Sequence, residues 1–442
     1  MPAVSFVADD LTGASDVLAQ AHRYGLDAVL IIGDVSADGD DGGTPLPADA
    51  DVVGIAGPAR SLGGQEFDAL VRAQLAQIAE AGAPVLLYKV CSTFDSLPTL
   101  GSIGRGIELL HERFPDLGPV AVAPAQPQFG RYTAFSNHFG VFAGQVYRLD
   151  RHPVMSRHPS TPMHEADLRQ VLAQQFTDPA VPAAVHLPAY ADGSFTDQWK
   201  ECQTGGGSAF VVDAVTDEHL DEIAHALRGA GPTGTSPSVV VGSGGIMAAL
   251  ARTATGRPAR EAGPQRASGP VLVVSASASS TTAAQIDDAV AHGWADVPVP
   301  VQLLTGSDQD LVAALEEQVR AALSAGRDVI VHTTRGSDDP RYAAAGPVDP
   351  GHVGGLLGAL AGRLATADLT RDIAVLGGDT SSHALMAMGV RELRVSDQFV
   401  TAGPICASDD RAAVAGCRLL LKGGQVGPTD VLRRFAGQTP PD

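Results

Sequence analysis

Two adjacent carboxylates, Asp9 and Asp10, end an apolar run near the N-terminus and are followed by Thr12 and Gly13. The apolar run predicts a strand, and the periodic stretch after Gly13 predicts a helix. Ligands of open α/β sheets bind beyond the carboxyl ends of strands, and the free N–H groups at a helix start bind anions. One aspartate is thus placed to accept a hydroxyl proton while the other orients it or helps to hold a cation. A strand followed by a capped helix explains the same residues without chemistry, because an Asp-Asp pair is a weak motif.

Two further segments carry polar residues directly after predicted strands. An arginine in a proline-stiffened loop, Arg131, suits a planar carboxylate or a phosphate. A lysine with neighbouring hydroxyl groups suits the carboxylate and hydroxyls of a small polar ligand. The ordinary alternatives are a strand-end lysine whose amine reaches solvent and a surface ion pair of the arginine. The residues of the lysine segment are Lys89, Ser92, Thr93 and Asp95.

The C-terminal half contains several loops in which an apolar run ends in glycine or hydroxyl residues before a helical pattern. Backbone can approach a phosphate closely at such turns, and the following helix start attracts the anion. One loop of this kind is usually only a connection, but several in one half of a chain favour a nucleotide site. The loops lie at residues 239–246, which include Ser243, at 271–280, at 373–382 and at 422–427, where Lys422 adds a cation.

These segments sit within a regular alternation of short Val/Ile/Leu/Ala runs and amphipathic Ala- and Leu-rich stretches. Such alternation is typical of parallel βαβ units. A chain of 442 residues exceeds what one core usually serves, and residues 229–238 have the composition of a linker. We therefore predict an α/β fold of two domains, each a mostly parallel sheet flanked by helices, with a cleft between them. The predicted domains are residues 1–232 and residues 238–442.

Composition and charge exclude several classes of partner. Thirty Lys and Arg residues face 50 acidic ones, a net charge of −20 without a basic block, so nucleic acid and anionic membranes are poor partners. Four widely spaced cysteines without a C-x-x-C motif are typical of reduced thiols in the cytoplasm. No apolar run approaches a signal peptide or a membrane span. We expect a cytoplasmic protein, with a homodimer as the commonest symmetric assembly.

Several nucleotide and hydrolase motifs are absent from the sequence. A P-loop, G-x-x-x-x-G-K-[ST], does not occur, and no G-x-G-x-x-G follows the first predicted strand. The second absence argues against an NAD-dependent dehydrogenase. The G-x-S-x-G and H-E-x-x-H signatures are also missing, which argues against a serine hydrolase or a zinc protease.

In order along the chain, VADDLTGASD, KVCSTFDS with GSIG, APAQPQFGR, GGDTS and KGGQVG resemble the motifs of the four-carbon acid sugar kinase family. That family includes oxotetronate, threonate and erythronate kinases, and the resemblance spans nearly the whole chain. It implies that the N-terminal domain, residues 1–232, binds an acid sugar and that the C-terminal domain, residues 238–442, binds a nucleotide. It further implies phosphorylation of a terminal hydroxyl by ATP with Mg²⁺. It also implies substrate roles for Asp9, Asp10, Lys89, Ser92, Thr93, Asp95 and Arg131, and ATP contacts for Ser275, Ser277, Gly377, Gly378, Asp379, Thr380, Gly423 and Gly424.

Four motifs depart from the family's pattern. Ser102 replaces an asparagine, Ala276 replaces a glycine between two serines, Asp379 replaces a glutamate, and residues 425–426 are Gln-Val where Asn-Phe is usual. The first three changes touch substrate or phosphate geometry, and none removes an obviously essential charge. They make a subgroup with another acid substrate plausible.

We predict an ATP-dependent kinase that phosphorylates a terminal hydroxyl of a 3-oxotetronate, threonate or erythronate type of acid. Asp10 is the predicted base, with Asp9 as the alternative, and Lys89 assists. Thr12 belongs to the predicted substrate site, Ser243 and Lys422 belong to the nucleotide site, and no residue is assigned to the metal. The alternatives are a kinase for a different or longer sugar acid and a non-catalytic sensor that binds sugar acid or nucleotide.

Overall fold

The computed structural model describes residues 1–33, 45–158, 160–230, 236–336, 339–346 and 348–438. The chain forms two compact units. The first comprises Met1–Ala28 and Asp34–Ala259, and the second comprises Val29–Gly33 and Arg260–Asp442. None of the described helices is both long and apolar enough to cross a lipid bilayer.

Strands and helices alternate along the first part of the chain. In chain order they are β1 (Val4–Ala8), α1 (Leu11–Arg23), β2 (Ala28–Ile32), β3 (Val52–Ala56), α2 (Gly64–Ala79), β4 (Val85–Lys89), α3 (Ile103–Arg113), β5 (Val120–Ala123), β6 (Arg131–Ala134), β7 (Asn137–Phe142), β8 (Gln145–Arg148), α4 (Leu168–Ala173), β9 (Ala183–Val185), α5 (Pro188–Ala191), α6 (Phe195–Thr204), β10 (Ala209–Val212), α7 (Asp217–Ala230), β11 (Ser238–Gly242) and α8 (Gly244–Thr255).

The alternation continues through the rest of the chain. It comprises β12 (Val271–Ser275), α9 (Ser280–Ala291), β13 (Ala295–Pro298), α10 (Gln302–Thr305), α11 (Gln309–Ser324), β14 (Val329–His332), α12 (Pro340–Ala345), α13 (Pro350–Thr366), β15 (Asp372–Leu376), α14 (Gly378–Ala387), β16 (Glu392–Val400), β17 (Gly403–Ser408), β18 (Arg418–Lys422) and α15 (Val431–Ala436).

The first unit is built on a parallel sheet with the strand order β3-β1-β4-β11-β5-β10-β9. Strand β1 is buried along its whole length, as expected of a central strand that is covered on both faces. Gly54 in β3 leaves room for Phe6, because a Cβ at this position would lie 2.0 Å from the ring Cζ. Ala8 is in register with Lys89. The residues that follow β1 and β4 therefore lie side by side at the carboxyl edge of the sheet.

A separate antiparallel sheet, β6-β7-β8, belongs to the same unit. Its first strand begins at Arg131.

The second unit contains the strand order β13-β14-β12-β15-β18-β17-β16-β2. Neighbouring strands from β13 to β18 are parallel, whereas β17, β16 and β2 are antiparallel to their neighbours. Ser275, Leu376 and Lys422 are in register at the ends of β12, β15 and β18. The loops that follow these three strands therefore share one edge of the sheet. The predicted fold class, α/β with two units built on mostly parallel sheets, is confirmed.

The boundary between the units differs from the predicted one. Strand β11 lies between β4 and β5, so residues 238–259 belong to the first unit although they follow the predicted linker. Residues 29–33 belong to the second unit because β2 pairs with β16. Both differences arise from pairing between distant segments, which the local composition of a chain does not reveal.

Candidate active site

Arg60 binds both aspartates that follow β1. It lies in a short 3₁₀ turn, Ala59–Ser61, after β3. Its Nε and Nη2 donate to Oδ2 and Oδ1 of Asp9 at 3.0 and 2.8 Å, and Nη2 also donates to Oδ1 of Asp10 at 2.7 Å. The guanidinium therefore uses both carboxylate oxygens of Asp9 but only one of Asp10. Sequence analysis missed Arg60, although a charged residue after a predicted strand is the same signal that pointed to Lys89.

Asp10 also caps helix α1. Its Oδ1 accepts a hydrogen bond from the N–H of Gly13 at 2.9 Å, as an N-cap aspartate does. No described residue donates a hydrogen bond to Oδ2 of Asp10. A Cβ at Gly13 would lie 2.3 Å from Oδ1 of Asp10 and 2.6 Å from Nζ of Lys89. The lysine amine therefore lies beside the aspartate, and only glycine leaves space for both.

Burial alters the acidity of this cluster. Burial raises the pKa of Asp9, although the charge of Arg60 opposes the increase. Burial alone would lower the pKa of Arg60, but the charges of Asp10 and Asp9 hold it well above its ordinary value. Arg60 is therefore charged at every physiological pH. Asp10 combines an oxygen to which no described residue donates with two neighbouring cations, Arg60 and Lys89, which suits it to accept a proton.

The loop after β4 folds its polar side chains inward. Thr93 and Asp95 are buried, and Oγ1 of Thr93 lies 3.0 Å from Sγ of Cys91. Oδ1 of Asp95 is buried without a hydrogen-bond partner among the described residues. Phe94 between them has a φ of 58°, a conformation that is costly for a non-glycine residue and persists where surrounding structure enforces it. A hydroxyl group of a ligand would satisfy the unpartnered carboxylate oxygen.

His138 in β7 fixes the same loop from another side. Its Nε2 lies 2.8 Å from the carbonyl oxygen of Ser92, and its Nδ1 lies 2.8 Å from Oγ1 of Thr133. Because a carbonyl can only accept, Nε2 carries the proton and Nδ1 accepts from the threonine hydroxyl. Burial lowers the pKa of His138 to about 4, so the imidazole is neutral at neutral pH. His138 thus holds the Ser92 backbone, a role that no local sequence pattern predicts.

Arg131 is a largely buried cation at the start of β6. Its Nη1 donates to the carbonyl oxygen of Phe129 at 3.0 Å, and its Nε is buried without a hydrogen-bond partner among the described residues. Burial lowers the pKa of Arg131. No carboxylate forms an ion pair with it in the part of the chain that the structure describes. A buried charge without a partner is costly, so the position suits an anionic ligand.

Three cations surround the thiol of Cys91. Burial and the charge of Asp95 raise its pKa to about 11, while Arg60 and Lys89 oppose the increase. The same thiol also lies within electrostatic reach of Arg131. The structure thus brings the predicted substrate residues to one edge of the first sheet. They are Asp9, Asp10, Thr12, Lys89, Ser92, Thr93, Asp95 and Arg131.

The predicted phosphate-binding loops of the second unit meet around a small cavity. A Cβ at Gly424 would lie 2.6 Å from Oγ of Ser277, which shows how closely two of the loops approach. Gly377, with a φ of 115°, starts α14 in a conformation that other residues rarely adopt. The cavity has a volume of about 240 Å³ and is lined by Ala276, Ser277, Ala278, Thr333, Val348, Pro350, Val353, Gly377, Gly378 and Gly424.

Two buried polar groups, those of Thr333 and Lys422, make few hydrogen bonds to the described residues. Oγ1 of Thr333 is buried without a hydrogen-bond partner among the described residues. Lys422 is fully buried, and its Nζ donates to the carbonyl oxygen of Gly423 at 2.9 Å. Burial lowers the pKa of Lys422 to about 7. Sequence analysis identified Lys422 but missed Thr333, which follows β14.

Ser243 does not belong with the nucleotide loops, contrary to the prediction. It is fully buried in the first unit, where its Oγ accepts from the N–H of Gly245 at 3.2 Å and donates to the carbonyl oxygen of Ala125 at 3.2 Å. The hydroxyl is thus used to begin α8. Ser275 is also fully buried and accepts a long hydrogen bond, 3.4 Å, from the N–H of Ser277. The side chains of Asp379 and Thr380 lie outside those that the structure describes.

A larger cavity of about 750 Å³ lies in the second unit at the ends of β13 and β14. His332 donates from Nε2 to Asp296 at 2.8 Å, and Arg335 donates to the same carboxylate at 2.6 Å. Burial lowers the pKa of His332, so it is neutral. Ala278 lines this cavity and the smaller one.

Among the described residues, no group of three or more His, Cys, Asp or Glu side chains is arranged to hold a metal ion.

Two family models match successive parts of the chain. Residues 4–250 match a sugar-binding N-terminal domain, and residues 272–432 match a nucleotide-binding C-terminal domain. The 3-oxo-isoapionate kinase of Paraburkholderia graminis is 32% identical over 453 residues, which cover 96% of this chain and 92% of that protein. A 3-oxo-tetronate kinase of Methylobacterium radiotolerans is 30% identical and covers 98% of both chains. The D-threonate kinase of Bordetella bronchiseptica is 29% identical, covering 98% of this chain and 97% of its own.

Solved structures share the fold. A crystal structure from Salmonella typhimurium LT2 superposes with a TM-score of 0.77 at 23% identity, covering 98% of both chains. A structure from Haemophilus influenzae gives a TM-score of 0.70 at 22% identity, covering 98% of this chain and 99% of that one.

Proposed function

The chain belongs to the four-carbon acid sugar kinase family, and we propose that it uses ATP to phosphorylate a terminal hydroxyl of a small sugar acid. The acid is of the 3-oxo-tetronate, threonate or erythronate type or the 3-oxo-isoapionate type. The observation that carries this proposal is the convergence of Arg60, Lys89 and Arg131 on one edge of the first sheet. Arg131 is largely buried and forms no ion pair with a carboxylate among the described residues, so in this proposal it binds the acid's carboxylate.

Asp10 is the proposed base for the acceptor hydroxyl. Its Oδ1 is held by Arg60 and by the first turn of α1, while Oδ2 remains to receive the hydroxyl proton. Asp9 is held through both oxygens by Arg60 and serves to orient that guanidinium. Lys89 lies beside Asp10 and stabilises the negative charge of the oxygen that attacks the phosphorus. Phosphoryl transfer needs little covalent chemistry from the protein beyond such positioning and charge stabilisation.

ATP binds to the second unit in this proposal. The amide groups around Gly377, Gly378 and Gly424, together with the hydroxyl of Ser277, bind phosphate oxygens at the start of α14. Lys422 becomes fully charged when a phosphate approaches, because a nearby anion favours the ammonium form. Mg²⁺ usually binds through phosphate oxygens and one or two carboxylates. Mg²⁺ would enter with ATP, held by phosphate oxygens, and would neutralise part of their negative charge.

The test of the function is ADP release with Mg-ATP across a panel of acids. The panel contains D-threonate, L-threonate, both erythronates, their 3-oxo forms and 3-oxo-isoapionate, each paired with its uncharged polyol. We expect turnover with at least one acid and little with its polyol, because Arg131 recognises the carboxylate. Arg131→Leu should raise the KM for the acid at least tenfold and abolish the preference over the polyol.

Two outcomes would contradict the proposal in different ways. Turnover of acid and polyol at equal rates would show that the carboxylate is not recognised. Binding of nucleotide without turnover of any acid, and without dependence on Mg²⁺, would favour the sensor. We prefer the kinase to the sensor because no described residue donates a hydrogen bond to Oδ2 of Asp10, which leaves this oxygen available to an acceptor hydroxyl.

The larger cavity of the second unit is the proposed nucleoside site. Its arginines and aspartates nearly balance, since Arg335 and Arg341 face Asp287, Asp296 and Asp339, which suits a neutral base and ribose better than a phosphate. Its volume of about 750 Å³ lies in the range of small-molecule pockets. Ala278 lines both cavities, so the larger cavity adjoins the smaller one, to which we assign the phosphates.

Ala284→Trp is expected to raise the KM for ATP about tenfold, a loss of about 1.4 kcal/mol, and to leave the KM for the acid unchanged. Ala284 is exposed, belongs to α9 and lines the larger cavity, so the indole occupies space that the nucleoside needs. Ala291→Trp is the matched control, because Ala291 is exposed on the same helix but does not line the cavity. Equal KM values for ATP in the two variants would place the nucleoside elsewhere.

A further inference from the structure

Asp16 is a buried carboxylate that the proposed reaction does not use. It lies one and a half turns into α1, the helix that Asp10 caps, and is 6% exposed. Its Oδ1 accepts from Nε2 of Gln20 at 3.0 Å, and its Oδ2 accepts from Nε2 of Gln126 at 2.9 Å. Burial raises the pKa of Asp16, while Lys89 opposes the increase. Among the groups that face this carboxylate are Lys89 and, with like charge, Asp10.

Gln126 connects this carboxylate to the loop that carries Arg131. The backbone N–H of Gln126 donates to the carbonyl oxygen of Arg131 at 2.9 Å, and the N–H of Arg131 donates back at 3.1 Å. This pair closes the loop whose tight turn ends at Gly130, in a left-handed conformation. The side chain of Gln126 is therefore a direct link between α1 and the base of the Arg131 loop.

The first turn of α8 packs on the same carboxylate. A Cβ at Gly244 would lie 2.1 Å from Oδ2 of Asp16, and a Cβ at Gly245 would lie 2.3 Å from the carbonyl oxygen of Ala125. Two adjacent glycines thus let the helix start approach both Asp16 and the Arg131 loop. The positive end of the α8 dipole favours a negative charge at this point. Three segments of the first unit therefore meet at one side chain.

We propose that Asp16 is a positioning residue that fixes the distance between Arg131 and Asp10. Its carboxylate ties the Arg131 loop, through Gln126, to the helix that begins at Asp10. This inference rests on the proposed function, since it assigns Arg131 to the acid's carboxylate and Asp10 to the hydroxyl. Both ends of one small substrate must be held at a fixed separation for transfer, and small displacements of positioning groups reduce rates strongly. Asp16 itself touches neither end of the substrate.

The test compares the two glutamines that bind Asp16. Gln126→Leu removes the tie to the Arg131 loop, whereas Gln20→Leu removes a hydrogen bond to the same carboxylate from within α1. Both side chains are buried, 3% and 2% exposed, so the variants incur a similar cost to stability. We expect Gln126→Leu to raise the KM for the acid about tenfold and to leave the KM for ATP within twofold. Gln20→Leu should change neither value by more than twofold.

A second variant, Asp16→Asn, tests the inference even if Gln126→Leu does not fold. Asp16→Asn keeps the size of the side chain but offers only one accepting oxygen, so it should also raise the KM for the acid selectively. In the background of Arg131→Lys, Gln126→Leu should have a smaller effect than in the wild type, because the two changes disturb the same contact.

The failure of this inference can be told apart from the failure of the proposed function. If the wild type phosphorylates no acid of the panel, the function is wrong. If the wild type is active and Gln126→Leu behaves like Gln20→Leu, Asp16 has only a structural role. Equal increases in the KM values for acid and ATP in Gln126→Leu would also overturn the inference.

Discussion

Asp10→Asn is expected to reduce kcat for phosphorylation of the acid by about 10²- to 10⁴-fold, the usual contribution of a general base. Asparagine keeps an oxygen that caps α1 and accepts from Gly13, so the helix should form normally. What the variant loses is the carboxylate oxygen that no described residue engages. The KM for the acid should change much less than kcat, because Arg131 supplies the binding. Single-turnover measurements with saturating Mg-ATP would isolate the chemical step.

Asp9→Asn is the matched control for this prediction. It removes the same charge one residue away, but both oxygens of Asp9 are bound by Arg60. We expect a smaller decrease in kcat, roughly tenfold, because the Arg60 guanidinium is no longer held in place by Asp9. Asp10 keeps Oδ2, to which no described residue donates. If Asp9→Asn were the more damaging of the two, the base would be Asp9. If neither changed kcat by more than tenfold, the hydroxyl would lose its proton to another group.

Much of the fold was predictable because the sequence pattern is local. Three of the short apolar runs, at residues 28–32, 52–56 and 120–123, form strands β2, β3 and β5. Buried parallel strands are short apolar runs, and the helices between them are amphipathic, so each element carries its own signal. What the sequence did not reveal is where β2 and β11 pair, since a strand's neighbours depend on contacts between distant segments.

The residues of the site also divide into those with a local sequence signal and those that depend on contacts between distant segments. Asp10, Lys89 and Arg131 stand at strand ends, where composition alone attracts attention. His138 contacts Ser92, and Gln126 contacts Arg131 and Asp16, each from another part of the chain. A lone histidine or glutamine has no distinctive local pattern. Ser243 shows the opposite error, because a serine before two glycines fits a helix cap as well as a phosphate site. In the structure its hydroxyl is used by the cap.

Lys422 presents a conflict between stability and function. A fully buried ammonium that donates to one carbonyl oxygen is poorly compensated for the loss of water. Its pKa is lowered from 10.5 to about 7 by burial. Between these pH values the unfolded chain binds a proton that the folded chain does not, so the wild type gains stability as the pH rises from 7 to 10.5. Below pH 7 this cost to stability, on the order of a few kcal/mol, is fully present.

Lys422→Met should therefore produce a protein that is more stable but much less active. Without ATP, the free energy of unfolding of the variant should exceed that of the wild type at pH 6.5, and the difference should shrink at pH 9.5. With ATP, kcat/KM should fall about 10²-fold, since the ammonium that meets the phosphates is gone. Denaturant unfolding at both pH values checks the predicted gain in stability, and steady-state kinetics check the predicted loss of activity.

The wild type should also show a weaker affinity for ATP as the pH rises above 7, because the free protein must then take up a proton when ATP binds. Lys422→Met should lack that part of the pH dependence. Lys200→Met is the control, because Lys200 is exposed on α6 and its loss should change neither stability nor ATP affinity appreciably. If Lys422→Met were less stable at both pH values and bound ATP normally, the lysine would serve packing through its apolar stem. A gain in stability joined to a loss of ATP binding would mean that the chain holds a costly charge in its core for its nucleotide.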